Sequence, residues 1–279
     1  MSTSMAAVGD GHDTNRFLDA AIEAARAAGE VIVRGAPGRG ELTIERKKAN
    51  DFVSTIDKGA ERAIIEVLRS HYPGHAFHAE ESGNSGDTAS SGFTWIIDPL
   101  DGTTNFLHGI PHYCVSIALQ VGTRIEVGVV LDPLNARLFT ARRGGGAWLN
   151  GERLAVSGRT GLEEAVLGTG LPFSDWSYLD DYLASLRVIM QRCAGIRRAG
   201  AAALDLAFVA AGWLDGFWEK KLNPWDVAAG SLLVLEAGGA ISDFRGAGHH
   251  VTGGQVVAGS SGVHRELVDI LGRYHGMCS

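Results

Sequence analysis

An apolar run, Trp95-Ile96-Ile97, leads into Asp98-Pro99-Leu100-Asp101-Gly102-Thr103-Thr104-Asn105-Phe106. Two carboxylates separated by a proline turn can converge on one point. Like charges about 4 Å apart repel by roughly 4 kcal/mol at an effective dielectric near 20. Such a pair therefore calls for a bound cation or a shared proton. The ligands on offer are hard oxygens, with no His or Cys beside them in the chain, which points to Mg²⁺ rather than Zn²⁺. Gly102 permits a close backbone approach. Thr103 and Thr104 could open a short helix whose free N–H groups bind a phosphate. A D-P-x-D-G stretch alone is an ordinary turn with Asx caps. The apolar strand before it and the Thr-Thr-Asn-Phe after it make the longer run far more specific.

Other patterns carry less. His249-His250 lies among glycines without a third ligand at motif spacing and reads as a surface turn. Gly259-Ser260-Ser261-Gly262 is out of register for a nucleophile elbow, and there is no G-x-x-x-x-G-K-[ST] phosphate loop. The net charge is −7 with the basic residues dispersed, so the chain as a whole does not attract nucleic acid or anionic membranes. A phosphate substrate would need local help from backbone N–H groups, a few cations or a bound metal. Cys114, Cys193 and Cys278 form no C-x-x-C pair, which fits a reducing compartment without a disulfide framework. Residues 1–13 are small and polar, unlike a signal peptide. No apolar run approaches the roughly 18 residues of a membrane span. A cytoplasmic protein is expected.

The elements that must position the carboxylates follow from periodicity. Residues 1–12 read as a flexible tail. A helix is predicted over 14–34, with Phe17, Ala21, Ile22, Ala25, Ala28 and Ile32 forming its apolar stripe. Pro37-Gly38-Arg39-Gly40 breaks it, and residues 41–47 alternate like a strand. A second helix is predicted over 54–71. Strands follow at 77–80 and 93–98, with a polar loop over 82–92 between them, and then at 113–121, 125–131 and 137–141. The second half alternates: strand 164–169, helices 177–194 and 201–211, strand 214–219, helix 225–237, strands near 240 and over 255–259, and helix 261–274. No linker separates independent domains. The expected fold is α+β and layered, one unit over 13–275. Its N-terminal α+β half, about 13–150, carries a mostly antiparallel sheet; its C-terminal α/β half spans about 151–275. A cleft between the halves would hold the site.

Residues 95–106 resemble the W-x-x-D-P-hydrophobic-D-G-T-x-N-F motif of the inositol monophosphatase family. Residues 47–57, Lys47-Lys48-Ala49-Asn50-Asp51-Phe52-Val53-Ser54-Thr55-Ile56-Asp57, are similar to its K-x-x-x-D-x-V-T/S-x-x-D element. Ala79-Glu80-Glu81-Ser82 resembles G-E-E-S, with Ala in place of Gly. Trp225-Asp226-Val227-Ala228-Ala229-Gly230, running into Glu236-Ala237-Gly238-Gly239, resembles the C-terminal W-D-x-A-A-G…E-A-G-G signature. The match covers roughly residues 14–270, with the motifs in the family's order. The resemblance implies the layered αβαβα sandwich of the sugar phosphatases, a fold shared with fructose bisphosphatases, and a homodimer.

The same resemblance implies the residue roles. Glu80, Asp98 and the carbonyl of Leu100 would ligate a first metal, and Asp98, Asp101 and Asp226 a second. Asp57 and Thr103 would orient and activate a water. Asp57 also completes the capping-box pattern Ser54-Thr55-Ile56-Asp57, and Asp226 alone would read as a helix N-cap after Pro224-Trp225. Gly102 and Thr103 would meet the phosphate, Glu219 a substrate hydroxyl, and Gly200, Ala201 and Ala202 the sugar ring. Ala201 departs from the family, which often has Ser or Thr there, and the lost hydroxyl would loosen substrate recognition. Lys47, or Lys48, matches a basic residue near the metals. The implied activity is lithium-sensitive hydrolysis of a small polyol monophosphate, inositol 1-phosphate foremost, by a water activated by two or three Mg²⁺. Histidinol phosphate is the rival substrate. A role beside RNA polymerase in antitermination is a rival of another class, known among bacterial relatives, although no basic or aromatic nucleic-acid patch stands out in this sequence.

Overall fold

In a computed structural model, the residues described are 13–35, 44–48, 51–86, 91–173 and 175–275, with 44–48 and 51–54 described by backbone alone. The helices are α1 (Thr14–Arg34), α2 (Thr55–His71), α3 (Thr103–Leu107), α4 (Leu179–Met190), α5 (Ala202–Ala210), α6 (Pro224–Glu236) and α7 (Ser261–His275). The strands of the first half are β1 (Ile44–Lys48), β2 (Asp51–Ser54), β3 (Ala76–Ala79), β4 (Gly83–Ser85), β5 (Phe93–Asp101), β6 (Cys114–Val121), β7 (Arg124–Asp132), β8 (Arg137–Arg142), β9 (Gly146–Leu149) and β10 (Glu152–Arg153). Those of the second half are β11 (Val166–Thr169), β12 (Gly195–Arg197), β13 (Gly216–Lys220), β14 (Ala240–Ser242) and β15 (Gln255–Gly259).

Periodicity explains the layers. The small and aromatic stripe of α1, from Phe17 through Ala21 and Ala28 to Ile32, is its buried face. It packs with Ala60, Ile64 and Leu68 of α2 against one side of an eight-stranded sheet ordered β10-β9-β8-β7-β6-β5-β3-β4. Successive strand residues point to opposite faces. Trp95 and Ile97 of β5 therefore join the α1–α2 layer, whereas Ile96 joins the core on the other side. That second core is filled by α5 and α6. Both helices are apolar almost all round, as a middle layer requires. Beyond them lies a five-stranded sheet, ordered β12-β11-β13-β15-β14, and beyond that α4 and α7 around a third core that includes Trp218, Phe244 and Leu267. The sequence of layers is α, β, α, β, α, as expected. The larger sheet is antiparallel except where β3 runs parallel to β5. The smaller sheet is mixed, with β11 parallel to β12 and β13, and β15 antiparallel to β13 and β14.

Differences from the predicted elements are local. The stretch with no predicted element, between the strand predicted over 41–47 and the second helix, contains β2, which pairs antiparallel with β1. The polar loop predicted over 82–92 contains β4, an edge strand on β3. Its Gly-Asn-Ser sequence has no apolar alternation, so pairing alone defines it. β12 and the β9–β10 hairpin were also absent from the expectation, and the helix predicted over 177–194 is confined to α4. The tail over 1–12 and the break at Pro37-Gly38-Arg39-Gly40 lie outside the described residues. No helix among the described residues is long and apolar enough to cross a membrane.

Candidate metal centre

Two residues three apart in a regular strand point to opposite faces, so alternation alone would separate Asp98 from Asp101. A β-bulge reunites them. Asp98 pairs with Ser116 and Asp101 with Cys114, so Pro99 and Leu100 together oppose the single residue Val115. The extra residue turns both carboxylates to the face occupied by α6. On that side Ser116 Oγ donates to the Trp225 carbonyl at 3.0 Å, tying the start of α6 to the sheet beside Asp98.

The third carboxylate comes from that helix start. Asn223 is the N-cap of α6, and Asp226 is its third residue, accepting the Asn223 backbone N–H at 2.6 Å to close a capping box. The cap predicted for Asp226 thus belongs to Asn223, and Asp226 both braces the helix and faces the bulge. One carboxylate oxygen from each of Asp98, Asp101 and Asp226 lies within 4.8 Å of the others. Asp98 Oδ1 accepts the Leu100 N–H at 3.0 Å, and Asp101 Oδ2 accepts the Ala203 N–H at 2.7 Å.

Burial pushes all three carboxyls up. Asp98 is raised well above the carboxylate range by burial, then by the charges of Glu80, Asp101 and Asp226. Asp101 is raised by burial and by Asp226, against the opposing Ala203 N–H. Asp226 is pushed up to about 6 by burial, opposed by its bonds to Asn223. The group therefore takes up protons or binds a cation. Glu80 joins through Asp98, which it contacts by charge and hydrogen bond. It is held there from two sides: its own N–H donates to the Ile97 carbonyl at 3.1 Å, and the next N–H, of Glu81, donates to Glu61 Oε2 of α2 at 2.8 Å.

Cys114, distant from the motif in sequence, enters the site in space. Its Sγ lies 3.8 Å from Asp101 Oδ2. Burial, and next the Asp101 charge, push its thiol well up, so it remains a protonated donor and not a soft thiolate ligand. The donor set remains hard carboxylate oxygen, which fits Mg²⁺.

The remaining predicted residues surround this group. Gly102 caps α3 at φ +93°, and a side chain there would begin 3.0 Å from the His112 carbonyl and 3.2 Å from Ala201 Cβ. Glycine is required on both counts. Thr103 Oγ1 donates to the Leu100 carbonyl at 3.0 Å. Asp57 is buried in the first turn of α2, and β2, which leads into that turn, lies against α3. Gly200, Ala201 and Ala202 lead into α5, whose Ala203 N–H reaches Asp101. Asn105 Nδ2 donates to the Ala199 carbonyl at 2.9 Å and to the His112 carbonyl at 2.7 Å, fastening that loop to α3. Half-buried Glu219, at the end of β13, is pushed up to about 8 by burial and the charges of Asp226 and Asp205, against Arg198. For Lys47 only the backbone, in β1, lies within the description, so its side chain adds nothing here.

Three contributors escaped the sequence reading. Glu61 follows Asp57 by one helical turn, a spacing that could have marked it. Asp205 is a lone acid in an otherwise apolar helix, which could have marked it too. His112 carried no signal of its own.

A model of the inositol monophosphatase family matches residues 13–273. Among curated proteins, Nus factor SuhB of Pseudomonas aeruginosa is 51% identical over 257 residues, covering 90% of this chain and 94% of that protein. Among solved structures, the extragenic suppressor protein suhB of Bartonella henselae aligns with a TM-score of 0.88 at 42% identity, covering 92% of this chain and 98% of that one. An inositol monophosphatase from an Anabaena (Nostoc) species aligns with a TM-score of 0.82 at 35% identity, covering 94% and 97%.

Proposed function

This chain belongs to the inositol monophosphatase family, and from that premise we propose that it is a Mg²⁺-dependent phosphatase acting on small polyol monophosphates, with inositol 1-phosphate as its substrate. The observation that carries this reading is the convergence of Asp98, Asp101 and Asp226 within 4.8 Å, with Glu80 against Asp98. Mg²⁺ held by these residues would supply Lewis acidity toward water and toward the phosphate and leaving oxygens.

The chain's own groups do the rest. Thr103 commits its hydroxyl proton to the Leu100 carbonyl, which leaves its oxygen to accept a hydrogen bond from the attacking water. The Asp57 carboxylate takes that water's proton as the water oxygen bonds to phosphorus; the bond to the polyol oxygen breaks with its electron pair staying on that oxygen, which takes up a proton from solvent. The backbone N–H groups of Gly102 and Thr103, at the start of α3, face the phosphate oxygens. Gly200, Ala201 and Ala202 line the sugar, and Glu219 receives a hydroxyl. The same reading makes the protein a cytoplasmic homodimer, inhibited by Li⁺.

The test is phosphate release from inositol 1-phosphate and histidinol phosphate, with and without Mg²⁺ and with added Li⁺. Mg²⁺-dependent release that favours inositol 1-phosphate is expected. A strong preference for histidinol phosphate would reassign the substrate, and no release from any phosphomonoester would remove the enzymatic reading.

Glu219 offers a narrower check. A Cβ on Gly170 would fall 1.8 Å from Glu219 Oε1, so the carboxylate occupies the space a side chain would fill. Gly170→Ala is expected to displace Glu219 and raise KM for inositol 1-phosphate by about tenfold, roughly the 1.4 kcal/mol at the upper end of an ordinary hydrogen bond. The Mg²⁺ dependence should persist, because no member of the acidic group moves.

The relative named a Nus factor supports a second role beside the transcription machinery. Capture of RNA polymerase by the tagged chain, equal for the parent and Asp98→Asn, is its expected signature.

A further inference from the structure

We propose that His112 and Asp205 form a clamp that seats the first turn of α5 on the Asp101–Gly102 corner and thereby places the polyol substrate; this rests on the phosphatase reading above. Asp205 stands in that first turn with its side chain 3% exposed, in a helix whose other buried residues are Ala, Leu and Val. A carboxylate in such a setting is strongly destabilising unless something answers its charge. His112 does so. Its Nε2 lies 3.2 Å from Asp205 Oδ1, and its ring meets the Phe208 ring edge-on at 5.6 Å, one turn further along α5. Burial raises the Asp205 carboxyl, and the neighbouring His112 pulls it back.

The partners of this pair are what give it a role beyond stability. The His112 carbonyl accepts Asn105 Nδ2, and the same amide reaches the Ala199 carbonyl ahead of α5. The His112 carbonyl also stands 3.0 Å from where a Gly102 side chain would begin, and Ala201 Cβ stands 3.2 Å from the same point. On the other flank, Ala203 donates its N–H to Asp101. The pair joins the segment before β6, in the larger sheet, to the helix that backs the smaller sheet. Residues 201–203 are therefore pressed against Asp101 and Gly102 from behind. His112 and Asp205 are positioning residues, outside the acidic group itself.

The experiment uses His112→Ala, the near-isosteric Asp205→Asn and their combination in the full chain. Each single variant is expected to lower kcat/KM on inositol 1-phosphate by about ten- to a hundredfold, mainly through KM. In His112→Ala the half-saturating Mg²⁺ concentration should stay within about twofold, because no member of the acidic group and no carboxylate beside it is altered. The double variant should be no worse than the poorer single one, as expected of two residues acting through one contact. Amide exchange at residues 201–205 should quicken in both single variants while β6 and α6 keep their protection. Folded single variants with near-parental kcat/KM, or losses that multiply in the double variant, would overturn the clamp. If the parent releases no phosphate from any ester, the functional reading fails by itself. Amide exchange at residues 201–205 then still decides the clamp, since unchanged exchange in both single variants would refute it.

Discussion

Asp98→Asn and Asp226→Asn should each lower Mg²⁺-dependent phosphate release by about a thousandfold or more, a loss of roughly 4 kcal/mol of transition-state stabilisation. Without divalent cations, the same variants should unfold at a temperature no lower than the parent's. The two halves of this expectation share a cause. Asp98 is buried and is pushed up by its own desolvation and by Glu80, Asp101 and Asp226. An amide of the same shape keeps the carbonyl that accepts the Leu100 N–H and removes a charge the fold tolerates poorly. Asparagine at 226 likewise keeps an acceptor for the Asn223 N–H. Most substitutions of buried, hydrogen-bonded residues destabilise, so a variant that loses activity while holding or gaining stability identifies a site strained for function. Initial rates with saturating Mg²⁺, beside thermal melts in chelator, measure both halves. Near-parental turnover in both variants would dismiss the metal assignment. A large drop in melting temperature in chelator would show that these carboxylates are structural.

The outer helices α1 and α2 were legible because their packing is one-sided. The stripe of α1 from Phe17 to Ile32 is read directly from its spacing, and that of α2 likewise. The site was legible in a different way. Asp98 and Asp101 stand out as a pair, yet their separation in a regular strand would send them to opposite faces. What unites them is the register of β5 on β6, where Pro99 and Leu100 share Val115, and register is a property of the partner strand. Asp226 shows the same limit. Its position after a proline suggests a cap, and locally it does brace the helix, but its approach to Asp98 depends on α6 lying across the sheet. Only the family resemblance, which carries tertiary information within a linear pattern, brought Glu80 and Asp226 to the same place. Where the resemblance is silent the residues were missed. His112 and Asp205 meet across two layers, and β4 has a sequence that becomes a strand only because β3 offers it an edge.

Between about pH 6.5 and 8.5 the metal-free protein should lose stability as the pH rises, and Mg²⁺ should restore it most at the alkaline end. Glu219 titrates at about 8 in the folded chain against 4.5 ordinarily, and Asp226 at about 6 against 3.8. Groups raised in this way hold more protons folded than unfolded. Their stabilising contribution is complete below the unfolded values and is lost as the pH climbs through about 6 and then about 8. Asp98 and Asp101 shift in the same direction. The histidines act oppositely. His250, His264 and His275 are lowered by burial, His275 to about 4, so their contribution is lost as the pH falls below their ordinary value of 6.5. Above that value they are silent, which is why the window starts there. Binding at a hundred times Kd stabilises by about 2.7 kcal/mol, or roughly 5–10 °C in a chain of this size. Protons and Mg²⁺ compete for the same oxygens, so the shift should be larger at pH 8.5 than at pH 6.5. Glu219→Gln should flatten the metal-free slope without abolishing the Mg²⁺ shift, because Glu219 lies outside the group of three that would hold the ion. A metal-free melting temperature that climbs across this window, or a Mg²⁺ shift indifferent to pH, would mean that the clustered carboxylates are ionised and at ease without a cation.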